Sequence, residues 1–341
     1  MQEVVLDSFI LKNNQSESVH FNLDDFKIVP HSDQIYVKIT GDTFFSVLNN
    51  FDNLIRQPTG CGEQNMIRMA PLVSVAVYLK ATGQLTRELK VRIEKHLLAG
   101  YQNQQKFMHS DGLYSIWGRK DEQGGGTWLS AYVLRTYADI LLNDLATVDV
   151  EKFNLTYMTL KSIANSDGSY RHRGPKLRNS AFGARRNVPD DNLVLSSFVL
   201  IALLKAERAL NEHLKSSNDR TVNYLVNELI KTKPKQVNTY ALALSLYALN
   251  MANESGSGEL IEQLEQEIDG RQVSESNGRR GVYWRTDERI ESASADLEIT
   301  GYVLLGKAMR SRKSNPRQIE SIAAWLNSKR NANDGFYSTQ V

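Results

Sequence analysis

The chain has 341 residues, of which 41% are hydrophobic and 23% are charged, a composition typical of a soluble globular protein. A formal net charge of +2 implies no overall electrostatic attraction to nucleic acids or membranes. The longest nearly apolar run, residues 193–204, is too short to span a bilayer and predicts a buried helix.

Residues 1–45 predict short β-strands, because apolar and polar side chains alternate in runs such as 26–29 and 35–39. Polar turn residues separate these runs, for example at 30–33. The first residues lack the positively charged start and the apolar stretch of a secretory signal.

The only cysteine, Cys61, lies in the stretch GCGEQNM at residues 60–66. A cysteine thiolate and a glutamine carboxamide three residues apart can join with loss of ammonia, which would link Cys61 to Gln64 as an internal thioester. Gly60 and Gly62 lack a Cβ atom, so the backbone can form the tight turn that such a ring needs, and Glu63 completes this turn. The alternative is that Cys61 is an inert, buried hydrophobic residue.

The rest of the chain predicts an all-α fold, because its apolar residues recur at helical spacing or form continuous apolar runs. A short helical turn at 45–54 is a further prediction. The ten main predicted helices cover residues 63–82, 85–104, 127–142, 150–164, 190–210, 219–231, 238–251, 259–268, 293–309 and 315–329.

A turn of the form Asp-Gly-x-Tyr recurs between these helices, at 111–114, 167–170 and 334–337, with a degenerate copy at 280–284. Its glycines are 56, 113 and 54 residues apart, and Gly60 lies 52 residues before the first of them. A period near 55 residues with two helices in each period predicts an (α/α)6 toroid, with inner and outer rings of antiparallel helices. The turns would lie on one rim, with Cys61 among them at the start of an inner helix.

The stretch PTGCGEQNM at residues 58–66 resembles the thioester signature of the α2-macroglobulin/complement family. Residues 98–104, LAGYQNQ, are similar to the insect thioester-containing proteins of that family, and GFYSTQ at 335–340 resembles its domain ending. The resemblance covers about residues 45–340. It implies that 46–341 form a thioester domain with the toroid fold, and that 1–45 begin a β domain of CUB type.

The resemblance also implies that the chain is a piece of a larger, secreted extracellular protein, whose remaining domains are its partners. In complement-like members a histidine attacks the thioester and passes the acyl group to hydroxyls. The position in this chain that matches it is Arg178, which stays protonated and cannot carry an acyl group. We therefore expect direct reaction with amines to be favoured. His172 is a weaker alternative, since it lies six residues too early.

The stretch around Arg178 is strongly basic, with Arg171, Arg173, Lys176, Arg185 and Arg186 also within sixteen residues. A solvated charged loop explains this pattern. The alternative is an attraction for anionic surfaces on the rim that carries the thioester.

Four aromatic residues are predicted to shield the thioester with an apolar wall, although ordinary packing of the inner helices accounts for them better, and the two roles are compatible. They are Tyr114, Trp117, Trp128 and Tyr132.

Three triplets match the acceptor pattern for N-glycosylation, at Asn14, Asn154 and Asn253, which agrees with a secreted glycoprotein. The six histidines are scattered, with no spacing that indicates a metal site, and no cofactor-binding motif is present.

The leading functional hypothesis is covalent opsonisation in innate immunity, in which the thioester acylates amines or hydroxyls on microbial surfaces. Each molecule would react once, so the chain would not be an enzyme. The alternatives are the thioester domain of a protease-trapping inhibitor, a non-covalent binding module with an inert Cys61, and an enzyme on the same toroid. The zinc ligands of a prenyltransferase and the acidic cluster of a terpene cyclase are both missing, which disfavours the last.

Overall fold

The structure is a computed structural model, and it describes residues 58–174, 190–210, 219–252, 258–275, 281–285, 293–310 and 315–329. Within these ranges the chain is predominantly helical. The helices are α1 (Gly62–Ala81), α2 (Arg87–Gln105), α3 (Thr127–Leu142), α4 (Val150–Ser162), α5 (Asp191–Ala209), α6 (Asp219–Thr232), α7 (Thr239–Ala252), α8 (Gly258–Gly270), α9 (Ala293–Met309) and α10 (Pro316–Ser328). All ten main helices predicted from periodicity are confirmed, with ends that differ by at most a few residues.

Two short strands, β1 (Val273–Ser274) and β2 (Val282–Tyr283), form an antiparallel pair in which Val273 faces Tyr283. Strand β2 packs against α9 and α10. The pattern at 280–284 predicted a degenerate turn, which includes β2, and the pairing with β1 was not predicted.

The helices form consecutive antiparallel pairs arranged in two layers. In the inner layer α1 contacts α3, α3 contacts α5, α5 contacts α7, and α7 contacts α9. The second helix of each pair, from α2 to α10, packs on the outside of the first. The predicted all-α toroid is thus confirmed as five helix pairs over the described residues.

Composition separates the two layers. The inner helices α5 and α7 are buried along nearly their whole length, so each reads as a continuous apolar run. The outer helices carry apolar side chains on one face only, as surface helices do. Side-chain caps fix the starts of several outer helices: the Thr86 hydroxyl accepts a hydrogen bond from Leu89 N, and Asp149 accepts one from Lys152 N.

The repeated turn has the same geometry in its two described complete copies. Gly112 and Gly168 adopt φ of +85° and +90°, which favours glycine. In each copy the aspartate accepts a hydrogen bond from the backbone N–H two residues later, at 3.0 Å for Asp111 and 2.9 Å for Asp167. The turn is therefore a structural unit of the toroid.

Each turn is also tied to the next inner helix. The N–H groups of Tyr114 and Tyr170 donate to the hydroxyls of Ser130 on α3 and Ser196 on α5, at 2.8 and 2.9 Å. At the degenerate copy the N–H of Trp284 donates to the hydroxyl of Thr300 on α9. The predicted repeat is thus confirmed at these three turns.

Several predictions fall on residues outside the described ranges. These are the β segment at 1–45, the turn at 45–54, the last Asp-Gly-x-Tyr copy at 334–337, and the sixth helix pair that a complete (α/α)6 ring requires.

Candidate functional site

The GCGEQNM stretch forms the start of inner helix α1. Cys61 is the N-cap residue, with an extended backbone, and Gln64 is the third residue of the helix. Gly60 precedes them with φ of +101°, a conformation that strongly favours glycine. Cys61 therefore lies where the free N–H groups and the positive end of the helix dipole converge.

The Gln64 side chain turns back over the N-cap. Its Oε1 accepts a hydrogen bond from Cys61 N at 3.4 Å. A Cβ atom added to Gly60 would lie 2.4 Å from the same oxygen, so glycine at this position makes room for the carboxamide. Cys61 is buried, with 7% of its surface exposed, whereas Gln64 is exposed.

Gly62 allows the first turn of α1 to approach the neighbouring rim segment closely. Its N–H donates to the Ile116 carbonyl at 2.9 Å, and an added Cβ would lie 2.5 Å from the Ser115 carbonyl oxygen. The first Asp-Gly-x-Tyr turn is therefore joined directly to the candidate site. Cys61 and this turn lie on the same rim.

Asn65 holds the first turn of α1 against outer helix α2. Its fully buried amide donates to the Gly100 carbonyl at 2.9 Å and to Gln104 Oε1 at 2.8 Å, and its oxygen accepts from Asn103 Nδ2. Pro58 packs on Gly100 from the other side, since an added Cβ there would lie 2.9 Å from the proline ring. Residues 58–66 and 98–104 therefore bind each other, a contact that their separate sequence motifs did not predict.

Glu63 is the second residue of α1 and only 3% exposed. Its Oε1 is inaccessible and has no hydrogen-bond partner among the described residues. Burial raises the pKa of this carboxyl from its ordinary value of 4.5 to about 7. Sequence reasoning placed Glu63 in the thioester turn but gave no indication of its burial.

The four predicted shielding aromatics lie in three different environments. Tyr114 is buried in the core, where its hydroxyl oxygen accepts a hydrogen bond from Gln105 Nε2. Trp117 is 57% exposed and directly follows Ile116, the partner of Gly62. Trp128 and Tyr132 are half-buried on α3 and pack against Phe198 of α5. Of the four, Trp117 lies on the rim next to the residues that contact Gly62. The shielding role stays a prediction.

His172 lies further round the same rim. Its Nε2 is 3.1 Å from Asp191 Oδ1, at the start of α5, two inner helices away from α1. The chain on both sides of it is held by Thr127, which donates to the carbonyls of Arg171 and Arg173. Arg178 lies outside the described residues, so its placement stays a prediction.

Of the three predicted glycosylation sites, only Asn154 is described. It lies inside α4, and its Oδ1 is buried without a partner among the described residues. The hydroxyl of Thr156, the third residue of the triplet, is buried and donates to the Gly112 carbonyl. Asn14 and Asn253 lie outside the described ranges, and glycosylation stays a prediction at all three.

The described residues contain no group of three histidine, cysteine or acidic side chains that could hold a metal ion. None of the described helices is both long enough and apolar enough to cross a membrane.

Comparison with known proteins agrees with the architecture and the motif. Residues 34–341 match the family model of the A-macroglobulin TED domain, the thioester domain of that family. The chain belongs to the A-macroglobulin family. A relative within it is ovostatin of Gallus gallus, 28% identical over 324 residues. The aligned region covers 92% of this chain but 21% of ovostatin, so the chain spans about a fifth of that relative's length. The specific similarity to insect members stays a prediction.

Proposed function

We propose that Cys61 and Gln64 form an internal thioester and that the chain uses it to acylate nucleophiles. The supporting observation is the hydrogen bond from Cys61 N to Gln64 Oε1, which holds the carboxamide folded back over the residue that carries the thiol. In forming the bond, Cys61 Sγ would attack Gln64 Cδ and the amide nitrogen would leave as ammonia. Membership of a thioester-domain family supports the same chemistry.

The acyl group would pass to a nucleophile that attacks Gln64 Cδ and displaces the Cys61 thiolate. The positive end of the α1 dipole favours both the oxyanion and the leaving thiolate, because each is an anion close to the start of the helix. The thioester is not regenerated, so the chain acts once and is not an enzyme. Amines are the favoured targets, since arginine occupies position 178 and cannot carry an acyl group.

In the whole protein this reaction would serve covalent tagging of microbial surfaces by a secreted, complement-like innate immune protein. The targets would be surface amines, with hydroxyls as a slower class. The second candidate is an α2-macroglobulin-like inhibitor that traps proteases by acylating their lysines, and Arg178 favours it because lysine attack needs no histidine. Incubating the full-length protein with bacteria and with an active protease, then locating the acyl adduct by mass spectrometry, separates the two.

The thioester itself is tested by intact mass and thiol titration before and after methylamine. We expect no titratable thiol at first, and then uptake of one methylamine together with release of one thiol. Cys61→Ser should take up no methylamine, and Gln84→Glu, a change at an exposed glutamine on the opposite rim, should behave as wild type. A free thiol from the start with an unmodified glutamine at 64 contradicts the proposal.

A further inference from the structure

Glu63 is a buried acid that the proposed chemistry leaves unused. Only 3% of its surface is exposed, and its Oε1 has no hydrogen-bond partner among the described residues. Buried polar atoms almost always have a hydrogen-bond partner, so an exception at a reactive site needs an explanation. The equivalent residue of α2, Glu88, is also second in its helix but is exposed, so helix position does not account for the burial of Glu63.

The surroundings of Glu63 contain few groups that can compensate its charge. On α3 the titratable neighbour is Tyr132, whose pKa is raised mainly by burial, lowered by the charge of Arg135 on the same helix, and raised least by the Glu63 charge. On the side of α2 and the rim segment, the first turn of α1 meets the amides that bind Asn65, and Phe107 and Ser115 beside Gly62. The titratable group of that segment is His109, whose Nε2 lies 2.7 Å from the Ser115 hydroxyl. Burial is the cause that raises the pKa of Glu63 to about 7.

The position of Glu63 places an acid in the helical turn that carries both reacting residues. Cys61 is the N-cap and Gln64 is the third helical residue, so the chain passes from thiol to carboxamide through Glu63. A group that titrates near neutral pH is efficient both at removing a proton and at returning it. Two histidines on this rim are held by other groups: His172 Nε2 lies 3.1 Å from Asp191 Oδ1 at the start of α5, and His109 Nε2 lies 2.7 Å from the hydroxyl of Ser115.

We propose that Glu63 is the proton-transfer group for acyl exchange at Gln64, both when the thioester forms and when an amine opens it. This inference rests on the proposed thioester. During formation, the Glu63 carboxylate takes the thiol proton of Cys61, and the Sγ–Cδ bond forms. The Cδ–N bond then breaks as Glu63 returns the proton to the nitrogen, which leaves as ammonia.

Opening by an amine follows the same route in reverse. The amine nitrogen attacks Gln64 Cδ and gives a proton to the Glu63 carboxylate as the C–N bond forms. The Cδ–S bond breaks, and Glu63 passes the proton to the departing Cys61 sulfur. The products are an amide and a free thiol, and Glu63 ends as the carboxylate it was at the start.

The test compares Glu63→Gln with Glu88→Gln, which removes an exposed acid from the same position of the neighbouring helix. Thiol release by methylamine is followed between pH 6 and pH 9. For wild type and Glu88→Gln, the rate of thiol release should rise with pH as methylamine is deprotonated, and the plot of rate against pH should show an additional inflection near pH 7. Glu63→Gln should lose this inflection and react about a hundredfold more slowly above it, the lower end of what general acid–base catalysis contributes. An unchanged rate and profile in Glu63→Gln overturns the inference.

If Glu63→Gln forms no thioester, a second variant, Glu63→Asp, distinguishes a chemical role of the carboxyl group from a structural one. If both variants unfold at or above the wild-type temperature and only Glu63→Asp forms the thioester, the carboxyl group is needed for formation, as proposed. If neither forms it and both unfold at lower temperature, Glu63 has a structural role and the inference fails. A wild-type chain that never takes up methylamine refutes the proposed function instead, so the two failures are distinct.

Discussion

At the scale of single residues, the charge of Glu63 has a consequence for stability that is separate from its chemistry. The pKa of its carboxyl is about 7 in the folded chain and ordinarily 4.5. Between these values the folded state binds more protons than the unfolded state. Stability therefore falls as the pH rises from about 4.5 to about 7, and then levels off because Glu63 is ionised in both states.

We predict that Glu63→Gln raises the free energy of unfolding at pH 8 by at most about 3 kcal/mol and changes it much less at pH 5. The isosteric amide removes the charge that burial disfavours. Urea unfolding at both pH values measures the difference, with Glu88→Gln as the control expected to show little effect at either. An equal effect of Glu63→Gln at both pH values contradicts the prediction.

Gly60 provides a second prediction at this scale. An alanine there would adopt φ near +101° and place its Cβ 2.4 Å from Gln64 Oε1. We expect Gly60→Ala to displace the carboxamide, so that the thiol of Cys61 remains titratable and no methylamine is incorporated. The matched control is Gly83→Ala, which has φ of +70° with nothing within 4 Å of the added atom. It should lose about 1 kcal/mol of stability through backbone strain but keep the thioester. Thioester formation by Gly60→Ala would contradict this account.

At the scale of elements, the Asp-Gly-x-Tyr turn shows why this sequence recurs. The aspartate closes the turn, the glycine supplies the positive φ, and the aromatic residue anchors the turn in the core. One further hydrogen bond involves a residue outside the motif: the N–H of Tyr170 donates to the hydroxyl of Ser196 on the following inner helix. Each turn is therefore fixed to the first turns of the next inner helix.

We predict that Ser196→Ala lowers the free energy of unfolding by about 1–3 kcal/mol, because it leaves a buried N–H without an acceptor. Ser74→Ala removes an exposed hydroxyl that bonds only its own helix, and it should cost less than about 0.5 kcal/mol. Urea unfolding of both variants checks the difference. Equal midpoints would mean that the turn is not held by this serine.

At the scale of the whole molecule, the rim that carries Cys61 also carries exposed cations. Arg171 and Arg173 are exposed, and their carbonyls are held by Thr127 at the start of α3. The other members of the predicted basic stretch lie outside the described residues. Attraction between exposed charges weakens with salt, whereas the reaction of a small amine with the thioester involves no such attraction.

We therefore predict that covalent deposition on an anionic surface falls several-fold between about 0.05 and 0.5 M salt, while methylamine reactivity stays constant. Arg171→Gln/Arg173→Gln should reduce both the deposition at low salt and its salt dependence. Arg87→Gln/Lys90→Gln, which removes two exposed cations at the opposite rim, is the control. If deposition responds neither to salt nor to the rim substitutions, the prediction is wrong, and the basic stretch is explained as a solvated loop.

Much of this architecture could be predicted from local sequence. Helical periodicity gave all ten main described helices, and the spacing of the Asp-Gly-x-Tyr turns gave their pairing, because both depend on residues within about one repeat. The GCGEQNM stretch likewise specified which cysteine and glutamine could react, since three residues separate them at the start of a helix.

Tertiary structure alone decided the environment of the site. Asn65 and Gly100 are far apart in sequence, and only the packing of α1 on α2 shows that they bind. Tyr114 and Trp117 looked alike in sequence, yet one lies in the core and the other is exposed. The sequence by itself determined the helices and the reactive pair, because those follow from neighbouring residues. Burial, and with it the raised pKa of Glu63, depends on which distant segments exclude water, and this is set only when the helices pack.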